Sequence, residues 1–251
     1  MSGHSKWSTI KRKKGAADAK RGKIFTKLIR EIQVAAKSGG GDENANPRLR
    51  SAIQAAKIAN MPLANVEKAV KKGTGELDGV SYDEVTYEAY GPGGVAIFIE
   101  TLTDNKNRTV SDIRHILSKA GGNLATNGSV AWMFEKKGII TVDKNHTSED
   151  DLLLVATDAG ADDLADVEEI YEVDMDPGVF EDVKAALEQA GIEILEASIQ
   201  AIPKNVVKIE EDLAAKVLNL MEVLEDYDDV QNVYANFDID DEIITKLQED
   251  A

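Results

Sequence analysis

The chain has 251 residues, 43% of them apolar, so it can fill ordinary cores in two or three compact units. It contains no cysteine, which excludes disulfides, thiolate metal sites and cysteine nucleophiles. The first twenty residues lack the apolar run of a signal peptide, and no run of about 18 apolar residues occurs, so no membrane span is expected. The formal net charge is −17, but residues 1–75 hold 17 Lys or Arg against 5 Asp or Glu, and the other 176 hold 12 against 41. Such asymmetry concerns partners rather than fold: a basic module on an acidic body grips a polyanion with one face only.

The opening stretch "HSKWSTIKRKKG" has no apolar period and one large aromatic, Trp7. Lys6, Lys11, Arg12, Lys13 and Lys14 crowd together there, and their repulsion is relieved by counterions or a polyanion. Trp7 either stacks on a base or plugs the adjoining helices. From Asp18 to Lys37 the spacing of Ile24, Phe25, Leu28, Ile29, Ile32, Ala35 and Ala36 predicts a helix with one broad apolar stripe. Lys20, Lys23, Lys27 and Arg30 fall within an ~80° band on its other side, and Arg21 lies near the stripe. Three glycines, Gly39 to Gly41, stop it.

A second helix starts at "NPRLR", with Asn46 as N-cap and Pro47 in the first helical position. Leu49, Ala52, Ile53 and Ala56 form its inner face, and Arg50 and Lys57 share an outer one. A third begins near Pro62, with Leu63, Val66 and Val70 apolar, Lys71 and Lys72 at its end and Gly73 closing it. Residues 1–75 are therefore expected to form a basic helical domain.

Residues 82–103 read as a hairpin turning at "GPGG". Its glycines do not form a phosphate-binding fingerprint. In "DNKNRT", Thr109 or Asn107 caps a helix carrying Val110, Ile113, Ile116 and Leu117. "SVAWMFEKKGIITVD" then supplies strand on both sides of an expected Lys-Lys-Gly turn. From residue 138 the order is strand, helix, strand, strand, helix, strand, that of a ferredoxin-like unit. A helix with Leu213, Val217, Leu220 and Leu224 follows. The strand "VQNVYANFDI" has no place in a four-stranded unit, so it is expected to return to the sheet begun by residues 82–103. The fold class is thus α+β in three domains: 1–75, helical; 76–135 with 206–251, discontinuous α/β; and 136–205, ferredoxin-like and inserted.

Catalytic patterns are missing. The three histidines are scattered, with no pair at metal-binding spacing, and no hydrolase elbow, Walker loop or zincin motif occurs. No cofactor, no metal, no small-molecule substrate and no enzyme activity are expected.

Four stretches carry a family resemblance: "GHSKWSTIKRKKGAADAKRGKIFTKLIREI", "NPRLRSAIQAAKIANMP", "YEAYGPGGVAIFIETLTDNKNRT" and "GGNLATNGSVAWMFEKKG". They resemble the YebC/PmpR family of transcriptional regulators, which includes a mitochondrial translational activator of a cytochrome oxidase subunit. The resemblance runs from residue 2 to about residue 240 and is most specific over the first 135. It implies the three-domain fold and a cytoplasmic bacterial protein that binds DNA and regulates transcription; family members have also been tied to ribosomes stalled at proline-rich stretches.

The residues expected to contact nucleic acid are Lys6, Trp7, Lys11, Arg12, Lys13, Lys14, Lys20, Arg21, Lys23, Lys27, Arg30, Arg48, Arg50 and Lys57. Lys106 and Arg108 are a secondary RNA contact, alongside a reading of that segment as a helix N-cap with two solvated bases. The leading expectation is a DNA-binding transcriptional regulator; the alternative is a ribosome-associated translation factor on ribosomal RNA. No helix carries an Arg, Asn and Gln set aimed at base edges.

Overall fold

Helix α1 (Asp18–Gly39) and helix α2 (Pro47–Ile58) are joined by one side chain. Asn46 accepts from the Leu49 amide at 3.1 Å as the α2 N-cap. Its own amide donates to the carbonyls of Ala35 and Gly40, both at 2.8 Å, at the end of α1. Helix α3 (Leu63–Gly73) completes the cluster. Ile32, Ala35, Ala36, Leu49, Ala52, Ile53, Ala56, Val66 and Ala69 form its core, so the helices approach closely over small side chains. A Cβ on Gly73 would lie 2.4 Å from the Gln33 carbonyl, which restricts this crossing of α1 and α3 to glycine. On α3, Leu63 is 63% exposed, whereas Val66 and Ala69 are buried.

The structure, a computed structural model, describes residues 18–167, 169–240, 242, 243 and 246, with side chains from residue 21 onward. They fall into two compact units: residues up to 131 with those from 205 onward, and residues 132–204.

In the first unit, β1 (Asp83–Tyr90) pairs antiparallel with β2 (Ala96–Thr103), Tyr90 opposite Ala96. Helix α4 (Lys106–Lys119) and the short β3 (Asn123–Leu124) follow. Helix α4 is capped by Asn105, which accepts from the Arg108 amide at 3.1 Å, rather than by Asn107 or Thr109. The Thr109 hydroxyl is engaged inside the protein instead.

Late in the chain come β8 (Val207–Lys208), α7 (Glu211–Asp226), β9 (Val230–Ala235) and β10 (Phe237–Asp238). β9 lies beside β2, giving the order β3-β1-β2-β9. Ile97, Ile99, Ile113, Leu117, Val217, Leu220, Leu224 and Val233 are buried together. The acid Glu88 is buried here too. Its carboxylate accepts from the amides of Gly128, Val130 and Ala131 at 2.6, 2.6 and 2.9 Å. Burial alone would raise its pKa, but those donors hold it below the usual carboxylate value.

The second unit contains β4 (Phe134–Asp143), α5 (Glu149–Asp158), β5 (Asp163–Val167), β6 (Ile170–Met175), α6 (Phe180–Gln189) and β7 (Ile194–Pro203). Its sheet order is β5-β6-β4-β7, with antiparallel neighbours, and its core includes Ile140, Val142, Leu152, Val173, Met175, Phe180 and Leu187. The expected turn at Lys136-Lys137-Gly138 does not form; β4 runs straight through it. Gly138 serves close packing there, since a Cβ would meet the Phe180 ring at 2.7 Å.

Candidate nucleic-acid interface

The basic band of α1 faces the protein's own acidic turn between α7 and β9. Lys23 pairs with Asp226 at 3.1 Å, and Lys27 donates to the Glu225 carbonyl at 2.7 Å. Both cations sit at the C-terminal end of α7, where the helix dipole favours positive charge. Arg30 goes deeper: one guanidinium nitrogen lies 2.7 Å from Asp229 Oδ1, 2.6 Å from the Asp228 carbonyl and 3.2 Å from the Leu102 carbonyl. The Arg30 side chain is only 13% exposed, and that of Asp229 3%. The guanidinium also lies over the Tyr82 ring, 5.2 Å from its centre. Lys23, Lys27 and Arg30, expected to hold phosphate, thus contact the acidic body; Lys23 stays half-exposed, while Arg30 is largely buried.

Asp229 also organises "TDNKNRT". Besides Arg30, it accepts from Arg108 at 2.7 Å, Thr109 at 2.7 Å and Thr103 at 3.2 Å. Burial would raise its pKa, but hydrogen bonds from Arg108, Thr109 and Arg30 outweigh that and lower it to about 2. The same carboxylate and Asp104, at 2.8 Å, hold Arg108. Arg108, expected as a secondary RNA contact, is thus tied to two carboxylates while its side chain stays partly exposed. Lys106 pairs at 3.2 Å with Asp83, both well exposed. The Tyr227 hydroxyl, donating to Asp112 at 2.7 Å, is pushed up to about 12, first by burial and then by that carboxylate.

The other expected contacts divide. Arg48 is held between Glu31 and Glu84, each at 2.7 Å, and Arg50 donates to the carbonyls of Glu43 and Asn44 at 3.1 and 2.9 Å. Arg21 sits over the Phe25 ring at 5.6 Å. Lys57 is exposed. Lys6, Trp7, Lys11, Arg12, Lys13 and Lys14 lie outside the described residues, and Lys20 is described as backbone only.

Sequence reasoning left Lys68 out and treated Lys71 and Lys72 only as a helix end. Yet Lys57, Lys68, Lys71 and Lys72 have no carboxylate partner within ion-pair distance among the described residues. Three lysines within five residues on α3, with Glu67 the only acid on that helix, were the signal that could have marked them. The described residues contain no group of three or more His, Asp or Glu placed to hold a metal ion, and no described helix is long and apolar enough to cross a membrane.

Residues 5–76 match the family model "TACO1/YebC protein N-terminal domain", and residues 82–237 match "TACO1/YebC second and third domain". A "Probable transcriptional regulatory protein" of Desulforapulum autotrophicum is 58% identical over 97% of this chain and 98% of its own length. One of Geobacter sulfurreducens is 59% identical over 98% of this chain and all of its own. The crystal structure of a conserved hypothetical protein from Aquifex aeolicus superposes with a TM-score of 0.84 at 49% identity, covering 90% of this chain and 94% of that one.

Proposed function

The chain belongs to the YebC/TACO1 family, and on that premise we propose that it regulates gene expression by holding the phosphate backbone of a nucleic acid. It is a regulator rather than an enzyme, as the names of its relatives suggest. The grip comes from the N-terminal arm (Lys6, Lys11, Arg12, Lys13, Lys14) and from Lys57, Lys68, Lys71 and Lys72 on α2 and α3. The observation that carries this reading is the division of the cations: Lys23 and Arg30 of α1 are paired with carboxylates of the protein itself, whereas the lysines of α3 have no carboxylate partner among the described residues. A three-domain organisation, with a basic helical part and an acidic remainder repelled by the polyanion, would suit such a role.

The first target is DNA, in keeping with the names of the relatives, and the setting is the cytoplasm. A second reading, ribosomal RNA, draws on the α1 geometry. With Lys23, Lys27 and Arg30 engaged within the protein, the middle of α1 has few basic side chains left for a major groove. Phosphate contacts then fix position without reading sequence, as in recognition of folded RNA by shape.

Sedimentation of a lysate on a sucrose gradient separates the two. Free protein that protects a defined promoter supports transcription; comigration with ribosomes that survives DNase supports translation. Protein that binds neither nucleic acid nor heparin at low ionic strength overturns both.

A further inference from the structure

A cavity of about 460 Å³ opens between α1, α3 and the segment that leads into β1. It lies within the size range of small-molecule sites. Its wall includes Lys37 and Lys72 and not one Asp or Glu, in a chain with 46 acids. Lys37 is held by Ser81, nitrogen to hydroxyl oxygen 2.6 Å, which leaves two of its three N–H donors for something else. Lys72 has no carboxylate partner among the described residues.

Gln33, also on the wall, is 6% exposed, and its carboxamide has no hydrogen-bond partner among the described residues. Its polar atoms are not sealed from solvent, so water or a ligand in the cavity can bond to them. The Tyr82 hydroxyl likewise has no partner among the described residues, and Arg30 covers one face of its ring.

We propose that this cavity binds a nucleotide. The two ammonium groups take the phosphate, the Gln33 carboxamide gives a donor and an acceptor to a base edge, and the Tyr82 ring offers an aromatic surface to the base. Two cations without an acid on the wall select a phosphate over a neutral ligand. The buried carboxamide and the aromatic ring select a nucleotide over inorganic phosphate. The choice of ligand class rests on the nucleic-acid reading above. The nucleotide is either free or one unit of a strand.

The test is calorimetric titration of the full chain at low salt with AMP, CMP, GMP, UMP and inorganic phosphate, and with a short single-stranded oligonucleotide. At least one mononucleotide is expected to bind at a single site more tightly than inorganic phosphate. Lys72→Ala, at a half-exposed position that leaves the core intact, is expected to weaken it about tenfold, as for loss of one charge-assisted hydrogen bond. Gln33→Ala is expected to weaken the mononucleotide but not inorganic phosphate. If the mononucleotide displaces the oligonucleotide, the site serves a strand; if both bind together, it serves free nucleotide.

Absence of saturable mononucleotide binding overturns the proposal, as does binding no tighter than that of inorganic phosphate or binding unaffected by Lys72→Ala. The two readings fail separately. Loss of mononucleotide binding with long nucleic acid still bound refutes only the cavity. Loss of long nucleic acid with a mononucleotide still bound refutes only the phosphate grip of the arm and α3.

Discussion

Replacing Asp229 by Asn tests the junction between α1 and the acidic body. The side chain keeps its shape and can still accept from a threonine, but the charge facing Arg30 and Arg108 is gone. Arg30, with 13% of its side chain exposed, would keep only two carbonyl acceptors. Breaking a buried ion pair from one side costs about 3–5 kcal/mol. Arg108, more exposed and still paired with Asp104, adds little.

The expected loss is therefore ~3 kcal/mol, read in urea as a lower midpoint at unchanged slope. The pH dependence gives an independent measure. The Asp229 pKa is about 2 in the folded protein, below its value near 3.9 in an unfolded chain. Its contribution is thus fully present above about pH 4 and lost as pH falls through about 2. It amounts to ~2.5 kcal/mol. Asp229→Asn should remove that acid-sensitive component. A variant within about 0.5 kcal/mol of wild type, or one with the same acid profile, would refute the assignment of Asp229 as the junction.

Charge reversal should separate the two basic helices. Lys68→Glu, Lys71→Glu and Lys72→Glu together are expected to weaken polyanion binding with little change in melting temperature, whereas Lys23→Glu with Arg30→Glu should lower that temperature by several degrees, both read by thermal circular dichroism beside a binding titration. Glu88→Gln leaves amides at 128–131 short of an acceptor, and should cost about 1–3 kcal/mol and speed hydrogen exchange in that loop first. Asn46→Ala removes the α2 cap and both ties to α1, so a loss of about 2 kcal/mol or more in chemical unfolding is expected.

What the sequence disclosed followed from how local each signal is. Asn46 and Pro47 mark the start of α2 because capping is decided within four residues. The alternation and turn of residues 82–103 mark the hairpin for the same reason. The Lys-Lys-Gly segment misled because a glycine inside a strand looks like a turn until Phe180, more than forty residues later, is placed against it.

The candidate site shows the limit most plainly. A helical wheel groups Lys23, Lys27 and Arg30 on one side but says nothing of what faces them. The answer, Asp229, sits in an acid-rich turn where it reads as one more solvated carboxylate. Its partners Arg30 and Arg108 are 199 and 121 residues away. The cavity beside Tyr82 was invisible for the same reason, since its lysines come from separate helices.

Salt-dependent binding of labelled DNA and RNA by the full chain tests the central claim most directly. If about six cations of the arm and α3 each neutralise a phosphate, log affinity for duplex DNA should fall with log salt at a slope near −5. Reversing Lys11, Arg12, Lys13 and Lys14 to Glu, together with the α3 lysines, should abolish binding while the fold persists. No binding at low ionic strength, or a slope unchanged by those reversals, would contradict the account.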